Sequence, residues 1–255
     1  MSIQACAELV QRGDPDRFLA TMAAPVAARA RLFPLYAFNL EVARAPWLTQ
    51  EAMIAEMRLQ WWRDALEEIG QGGPVRRHEV VTPLADLLEP QDAARLDALV
   101  EARRWDIYRD PFDDRAAFEA HIEATAEHLM WTAARLLGAD RGEAVLRDFA
   151  HAVGVANWLQ AIPELEARGR VPLVDGRPEA VAALAQDALG RLRRARAKRA
   201  ELPRAAVPAL LAGWQAEGVL RRAAAAPARV AEGRLAPSEF SRRGGLLWKS
   251  FTGRW

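Results

Sequence analysis

Two histidines and two glutamates between residues 121 and 128 are the group whose types could bind a metal ion most directly. His121 and His128 are seven residues apart, which places them on one side of a helix, and Glu123 and Glu127 lie between them. Imidazole and carboxylate groups are common zinc ligands. No matching group of ligands occurs elsewhere in the sequence, so we predict a structural role for these residues.

The densest grouping of Trp, Arg and amide side chains lies in residues 31–66. Its apolar periodicity predicts two helices joined by a short break. In the first helix, Tyr36 and Asn39 share a face with apolar residues, so the polar Asn39 would point into the core. The second helix is predicted to carry an apolar stripe of Met57, Trp61 and Ala65. A buried amide beside Tyr and Trp side chains indicates the lining of a cavity.

Several runs of the sequence resemble one known family. They are YAFNLEVAR (36–44) with EMRLQWWRDAL (56–66), RHEVVTPLADLL (77–88), EARRWDIYRDPFDD (101–114) and GVANWLQAIPELEARGRVPL (154–173). These runs resemble the squalene/phytoene synthase family of all-α head-to-head prenyltransferases, and within it the branch that includes mitochondrial assembly factors for respiratory complex I. The resemblance thins out beyond residue 175.

The resemblance implies two aspartate-rich motifs that hold magnesium. A diphosphate carries several negative charges, so its ionisation from an allylic carbon requires divalent cations gripped by carboxylates. Acidic residues are expected at five positions, which here are Ala43, Arg44, Trp47, Ala161 and Leu165. Four of them are apolar, and Arg44 puts a cation where a metal ligand is expected. We therefore predict no metal site and no catalytic residue of the family type.

The resemblance also implies a cavity between helices at residues 26–45 and 142–167. Asn157 and Glu164 keep their family identities, whereas Glu41 lies on nearly the opposite helix face from position 43. One surviving acid does not make a site for three metal ions. The candidate pocket residues are Arg29, Tyr36, Asn39, Glu41, Trp61, Asn157, Trp158, Gln160 and Glu164.

Charge is distributed unevenly along the chain. The formal net charge is +1, but residues 186–255 contain fifteen Lys or Arg and five Asp or Glu, a net +10, which leaves −9 for residues 1–185. This asymmetry predicts an anionic contact, either a membrane surface or an acidic protein. Nucleic acid is not expected, because no nucleic-acid-binding motif accompanies the charge. The predicted membrane contacts are Trp248, Lys249, Phe251 and Trp255, and the alternative is a C-terminal helix that docks on the bundle.

Composition bounds the cellular location. Cys6 is the only cysteine, so no intramolecular disulfide can form. The N-terminal sequence MSIQACAELVQRGD lacks the features of a signal or transit peptide. The longest run without Asp, Glu, Lys or Arg, residues 149–163, is shorter than the roughly 18 residues of a membrane span. We predict a cytoplasmic protein, with peripheral attachment to the inner membrane as an option.

The sequence predicts one all-α domain over residues 1–255, an antiparallel multi-helix bundle of the isoprenoid synthase type with a basic C-terminal part (186–255). Three functions remain open. The first is a non-catalytic assembly or scaffolding factor, by resemblance for a respiratory complex at a membrane. The second is a prenyltransferase that joins prenyl diphosphates with atypical magnesium ligands. The third is a carrier for an isoprenoid or quinone. No cofactor is expected, except magnesium in the second case.

Overall fold

The structure, a computed structural model, describes residues 3–255; Met1 and Ser2, with which the segment MSIQACAELVQRGD begins, lie outside the described residues. No strand occurs within these residues. The α-helices, in chain order, are α1 (Ile3–Gly13), α2 (Pro15–Met22), α3 (Val26–Arg44), α4 (Ala52–Gly70), α5 (Val81–Ala85), α6 (Pro90–Ala102), α7 (Arg115–Ile122), α8 (His128–Leu136), α9 (Glu143–Ala167), α10 (Pro178–Ala197), α11 (Val207–Leu210), α12 (Ala216–Ala225), α13 (Ala228–Ala231) and α14 (Glu239–Thr252).

The described chain divides into two compact units. The first contains the described residues up to Tyr108 together with Thr132–Ala139 and Ala205–Ala212, and the second contains Arg109–Trp131, Asp140–Arg204 and Gly213–Trp255. The single domain over residues 1–255 stays a prediction.

Helix α3 is the centre of the first unit. Its residues from Leu32 to Leu40 are buried on all sides, which is the pattern of a central helix. Helices α1, α2 and α5 pack against it. The approach of α1 is close at Gly13, where an added Cβ would lie 2.4 Å from the side chain of Leu40. A larger residue at this position would require the side chain of Leu40 to move.

Helix α4 buries a different face from the predicted one. Met57 is exposed and Trp61 is half-buried, whereas Trp62 is buried. The buried face consists of Ala55, Leu59, Trp62, Ala65, Leu66 and Ile69. The predicted stripe through Met57 and Trp61 was therefore wrong, and the buried face is rotated from it by about one residue. Apolar residues occur at helical spacing on more than one side of this helix, so the spacing alone does not decide which side is buried.

Helix α9 is the centre of the second unit. It is buried on all sides from Phe149 to Ala156 and contacts α10, α12 and α13. Gly154 lies against the segment that precedes α8, where an added Cβ would lie 2.7 Å from Cβ of Ala126 and 2.8 Å from Ile122. This small residue allows two backbones to pack closely, which agrees with the predicted buried helix over residues 149–163.

Two regions differ from regular α-helices. Residues 115–136 are helical throughout, and a π-helical segment at Glu123–Glu127 joins α7 to α8 without a break. Farther along the chain, α11 lies between two 3₁₀ segments, Arg204–Ala206 and Leu211–Gly213. Pro208 restricts the first turn there, and Gly213 leaves room for Val153, 2.3 Å from where its Cβ would be. No helix of the described residues is long and apolar enough to cross a membrane.

Candidate functional site

Tyr36 and Asn39 on α3 are both buried in the first unit. The guanidinium carbon of Arg17 lies 5.1 Å from the centre of the Tyr36 ring. Burial raises the pKa of the Tyr36 hydroxyl to about 12. The Oδ1 atom of Asn39 is buried and has no hydrogen-bond partner in the described part of the chain. A buried acceptor of this kind is costly unless something donates to it.

The other candidates of the first unit have structural contacts of their own. The Nε atom of Arg29 donates to the carbonyl oxygen of Ala24 at 3.0 Å, and Glu41 is partly exposed. The rings of Trp61 and Trp62 pack edge to face, with their centres 4.9 Å apart. The guanidinium carbon of Arg76 lies 4.8 Å from the centre of the Trp61 ring. Trp61 therefore packs between an aromatic ring and a cation.

On α9, three candidates lie along one exposed face. Asn157, Gln160 and Glu164 are exposed, and Glu164 forms an ion pair with Arg168 one turn further along. Trp158 points the other way and is buried. Of the predicted pocket residues in the second unit, these three polar side chains are exposed. The predicted cavity shared with α3 stays a prediction.

Trp158 belongs to a buried aromatic cluster in the second unit. Its indole Nε1 donates to the carbonyl oxygen of Pro172 at 2.9 Å. Its ring lies 5.1 to 5.8 Å from three other rings, those of Phe112, Phe118 and His121. Trp158 therefore anchors the loop after α9 and packs in the core.

The positions where the family motifs would supply metal ligands have no suitable donors. Arg44 is the exposed last residue of α3, and Ala43 and the 3₁₀ residue Trp47 are half-buried. On α9, Ala161 is exposed and Leu165 is buried. No group of three or more His, Cys, Asp or Glu side chains within residues 3–255 is arranged to hold a metal ion. The residues present therefore do not fit the magnesium ions of the family synthases.

The histidine and glutamate group is divided by the π-helical segment. His121 packs in the Trp158 cluster, whereas Glu127 turns to His151 of α9, with 3.0 Å between Oε1 and Nδ1. Both members of this pair are buried. Arg147 lies next to it, 3.7 Å from Glu127. The sequence gives no signal for this pair, because no local pattern connects residues 24 positions apart.

The predicted membrane contacts on and after α14 do not share one environment. Trp255 is buried against Phe149, with ring centres 5.0 Å apart, so its predicted exposure was wrong. Its backbone carbonyl accepts from Nε of Arg196 at 2.7 Å. Lys249 is half-buried, and burial followed by the charge of Arg196 lowers its pKa. Trp248 and Phe251 are exposed as predicted.

Comparison with known protein families decides the classification. The sequence pattern of the family described as Squalene/phytoene synthase matches residues 10–174. The chain belongs to this family. Its curated relatives include NADH dehydrogenase (ubiquinone) complex I, assembly factor 6, which is 27% identical over 178 residues in Bos taurus and 24% identical over 170 residues in Homo sapiens. The homologue of that factor in Drosophila melanogaster is 30% identical over 184 residues.

These alignments cover 65 to 66% of this chain and 51 to 53% of each relative. The chain therefore spans about half the length of the curated relatives that it matches.

Solved structures of the squalene/phytoene synthase family share the fold. A dehydrosqualene synthase in complex with ligand matches with a TM-score of 0.78 at 14% identity, covering 99% of this chain and 97% of that chain. The squalene synthase HpnC from Alicyclobacillus acidocaldarius matches with a TM-score of 0.57 at 19% identity, covering 98% and 94%. These matches confirm the predicted all-α fold of the isoprenoid synthase type.

Proposed function

We propose that this chain is a non-catalytic member of the squalene/phytoene synthase family that acts as an assembly or scaffolding factor for a respiratory complex at a membrane surface. The replacement of the motif ligands by Ala43, Arg44, Trp47, Ala161 and Leu165 carries the proposal. Without carboxylates at these positions, the chain has no means to grip the metal ions that ionise a prenyl diphosphate.

The identity of the relatives supports the assembly role. The curated relatives described above are named as assembly factors of NADH dehydrogenase (ubiquinone) complex I. A fold that keeps its core and replaces its metal ligands is free to serve binding alone, since function depends on the site and not on the fold. We propose complex I as the partner on this basis.

Deletion of the gene in the organism that encodes the chain tests the proposal. We expect lower NADH:quinone oxidoreductase activity in its membranes and fewer fully assembled complexes on native gels, with squalene and phytoene content unchanged. Reintroduction of the wild-type gene restores the activity. Normal complex I activity together with loss of a prenyl product would overturn the proposal.

Asn39 favours a second candidate function, that of an isoprenoid or quinone carrier. Its buried Oδ1 has no donor among residues 3–255, beside the buried Tyr36 on the same helix. A hydroxyl head group, that of an isoprenol or of the quinol form of a quinone, would donate to Oδ1 and satisfy this acceptor in an apolar surrounding. Native mass spectrometry of the purified chain tests this function: a co-purified lipid that is lost in Asn39→Leu supports it, and an unliganded wild-type protein contradicts it.

A further inference from the structure

The side of helix α14 that packs against the rest of the second unit is partly polar. Leu246 is its buried residue. Lys249 and Arg242 lie on the same side of the helix and are half-buried, and the carbonyl oxygen of Arg242 accepts a hydrogen bond from Nε1 of Trp214 at 3.1 Å. Two of the cationic side chains of α14 are therefore turned toward the protein.

The outward side of α14 is apolar. Phe240, Leu247 and Phe251 are 89%, 71% and 88% exposed, and Trp248 beside them is 61% exposed. Residues 240, 244, 247 and 251 follow the three- and four-residue steps of one helical stripe, about 16 Å long. Gly244 in this stripe has no atom within 4 Å of where its Cβ would be. This polarity is the reverse of that of a surface helix in a soluble protein.

Positive charge predominates on and after α14. Arg242, Arg243, Lys249 and Arg254 outnumber the acid of this segment, Glu239. Of these cations, Arg243 and Arg254 are exposed, and Arg243 pairs with Glu239 at 3.3 Å. The net charge beside the apolar stripe is therefore positive, which favours a negatively charged partner.

The shape and charge of the stripe favour lipid over protein. The four side chains form a ridge on a single helix, and the hollow along the ridge is shallow and open, with a lining of Glu239, Phe240, Arg243, Gly244 and Leu247. A second copy of the chain would bring two faces of the same positive sign together. A bilayer interface accepts a ridge of Phe, Leu and Trp side chains, and anionic head groups match the surrounding cations.

We infer that α14 lies in the plane of an anionic bilayer surface, with Phe240, Leu247, Trp248 and Phe251 inserted among the lipids. This inference deepens the membrane part of the proposed function and does not depend on the loss of catalysis. It also revises the predicted contacts: Phe240 and Leu247 join the surface, and Trp255 and Lys249 leave it.

Flotation of the full chain with lipid vesicles tests the inference. Vesicles of phosphatidylcholine alone are compared with vesicles of about three parts phosphatidylcholine to one part phosphatidylglycerol. We expect flotation with the anionic vesicles and about tenfold less binding for the double variant Leu247→Asp, Phe251→Asp. The matched control is Met53→Asp, Met57→Asp, which changes two equally exposed side chains, 77% and 66%, on α4. This control variant should float like the wild type.

Two results would overturn the inference. One is equal flotation of the α14 variant and the α4 control, or no flotation of the wild type. The other is a wild-type dimer in analytical ultracentrifugation that the α14 variant dissociates without any lipid binding, which would make the stripe an interface between copies. Complex I activity in a strain carrying the α14 variant is measured separately, so the assembly role and the lipid contact can fail independently.

Discussion

The carboxylate of Glu164 forms an ion pair with the guanidinium of Arg168, one turn further along α9. The resemblance to the family leads us to expect an acid at this position, and the charge of Glu164 is matched by a neighbouring cation. Ala161 and Leu165 on either side of it offer no oxygen ligand. Glu164 therefore makes a surface ion pair on this helix.

Leu165 is a buried part of the packing of α9, so an aspartate at this position would lower the stability of the fold. We expect Leu165→Asp to lower the free energy of unfolding by about 3 kcal/mol, because it removes a buried apolar side chain and buries a charge. Urea unfolding followed by circular dichroism measures the change. Ala161→Asp is the matched control at an exposed position of the same helix and should stay within about 0.5 kcal/mol. Equal effects of the two variants would contradict the described packing of Leu165.

Gly154 sets the distance between α9 and the π-helical segment. Gly154→Ala should destabilise the protein by about 2 kcal/mol, because its Cβ would overlap Ala126 and Ile122. Gly245→Ala on α14 has open space around it and should stabilise by about 0.5 to 1 kcal/mol through helix propensity. Thermal unfolding of both variants provides the comparison, and a stabilising Gly154→Ala would show that the two backbones are not in close contact.

The buried pair of Glu127 and His151 holds the π-helical segment on α9. We expect Glu127→Ala to cost about 2 to 3 kcal/mol of unfolding free energy, because it leaves His151 without its buried partner. Glu123→Ala removes a more exposed carboxylate that pairs with the same Arg147, and should cost less than about 1 kcal/mol. Chemical denaturation distinguishes them, and a neutral Glu127→Ala would contradict a structural role for the pair.

Cys6 should be almost unreactive in the folded protein. Burial, followed by the charge of Glu79, raises its pKa from 9.0 to about 11, so near pH 8 the thiolate fraction falls about a hundredfold. The folded-state pKa lies above the unfolded value, so the contribution of this thiol to stability is full below pH 9.0 and is lost as the pH rises toward about 11.

Iodoacetamide labelling of native and urea-unfolded protein measures the reactivity of Cys6. The control is a Cys6→Ala protein with Ser241→Cys, which places the sole thiol on the exposed surface of α14. This control should react at similar rates in both states. Rapid labelling of native Cys6 would contradict its burial.

Local signals predicted much of the fold. Asp14 caps α2 by accepting from the backbone N–H of Arg17 at 2.9 Å, and Asp followed by Pro is a local signal for such a helix start. Pro34 lies inside α3, and α9 is the buried central helix of its unit. These features depend on residues within a few positions of each other, where spacing carries the information.

The remaining features depend on contacts that are distant in sequence. Glu127 contacts His151, and Arg196 donates a hydrogen bond to the carbonyl oxygen of Trp255. The spacing of residues along the sequence predicts neither contact. The outward stripe of α14 is different, since the step from Phe240 through Leu247 to Phe251 is visible in the sequence. The sequence does not predict which side of the helix packs against the protein. That side determines which apolar residues face outward.

The central claim is that the chain does not ionise prenyl diphosphates. Its most direct test is diphosphate release from farnesyl and geranylgeranyl diphosphate in the presence of magnesium, measured beside an intact synthase of the family. We predict release no faster than in buffer with magnesium, from protein that circular dichroism shows to be folded and helical. Release above that background by the purified chain would contradict the claim and would point to other metal ligands, beginning with Glu41, Glu164 and Glu166.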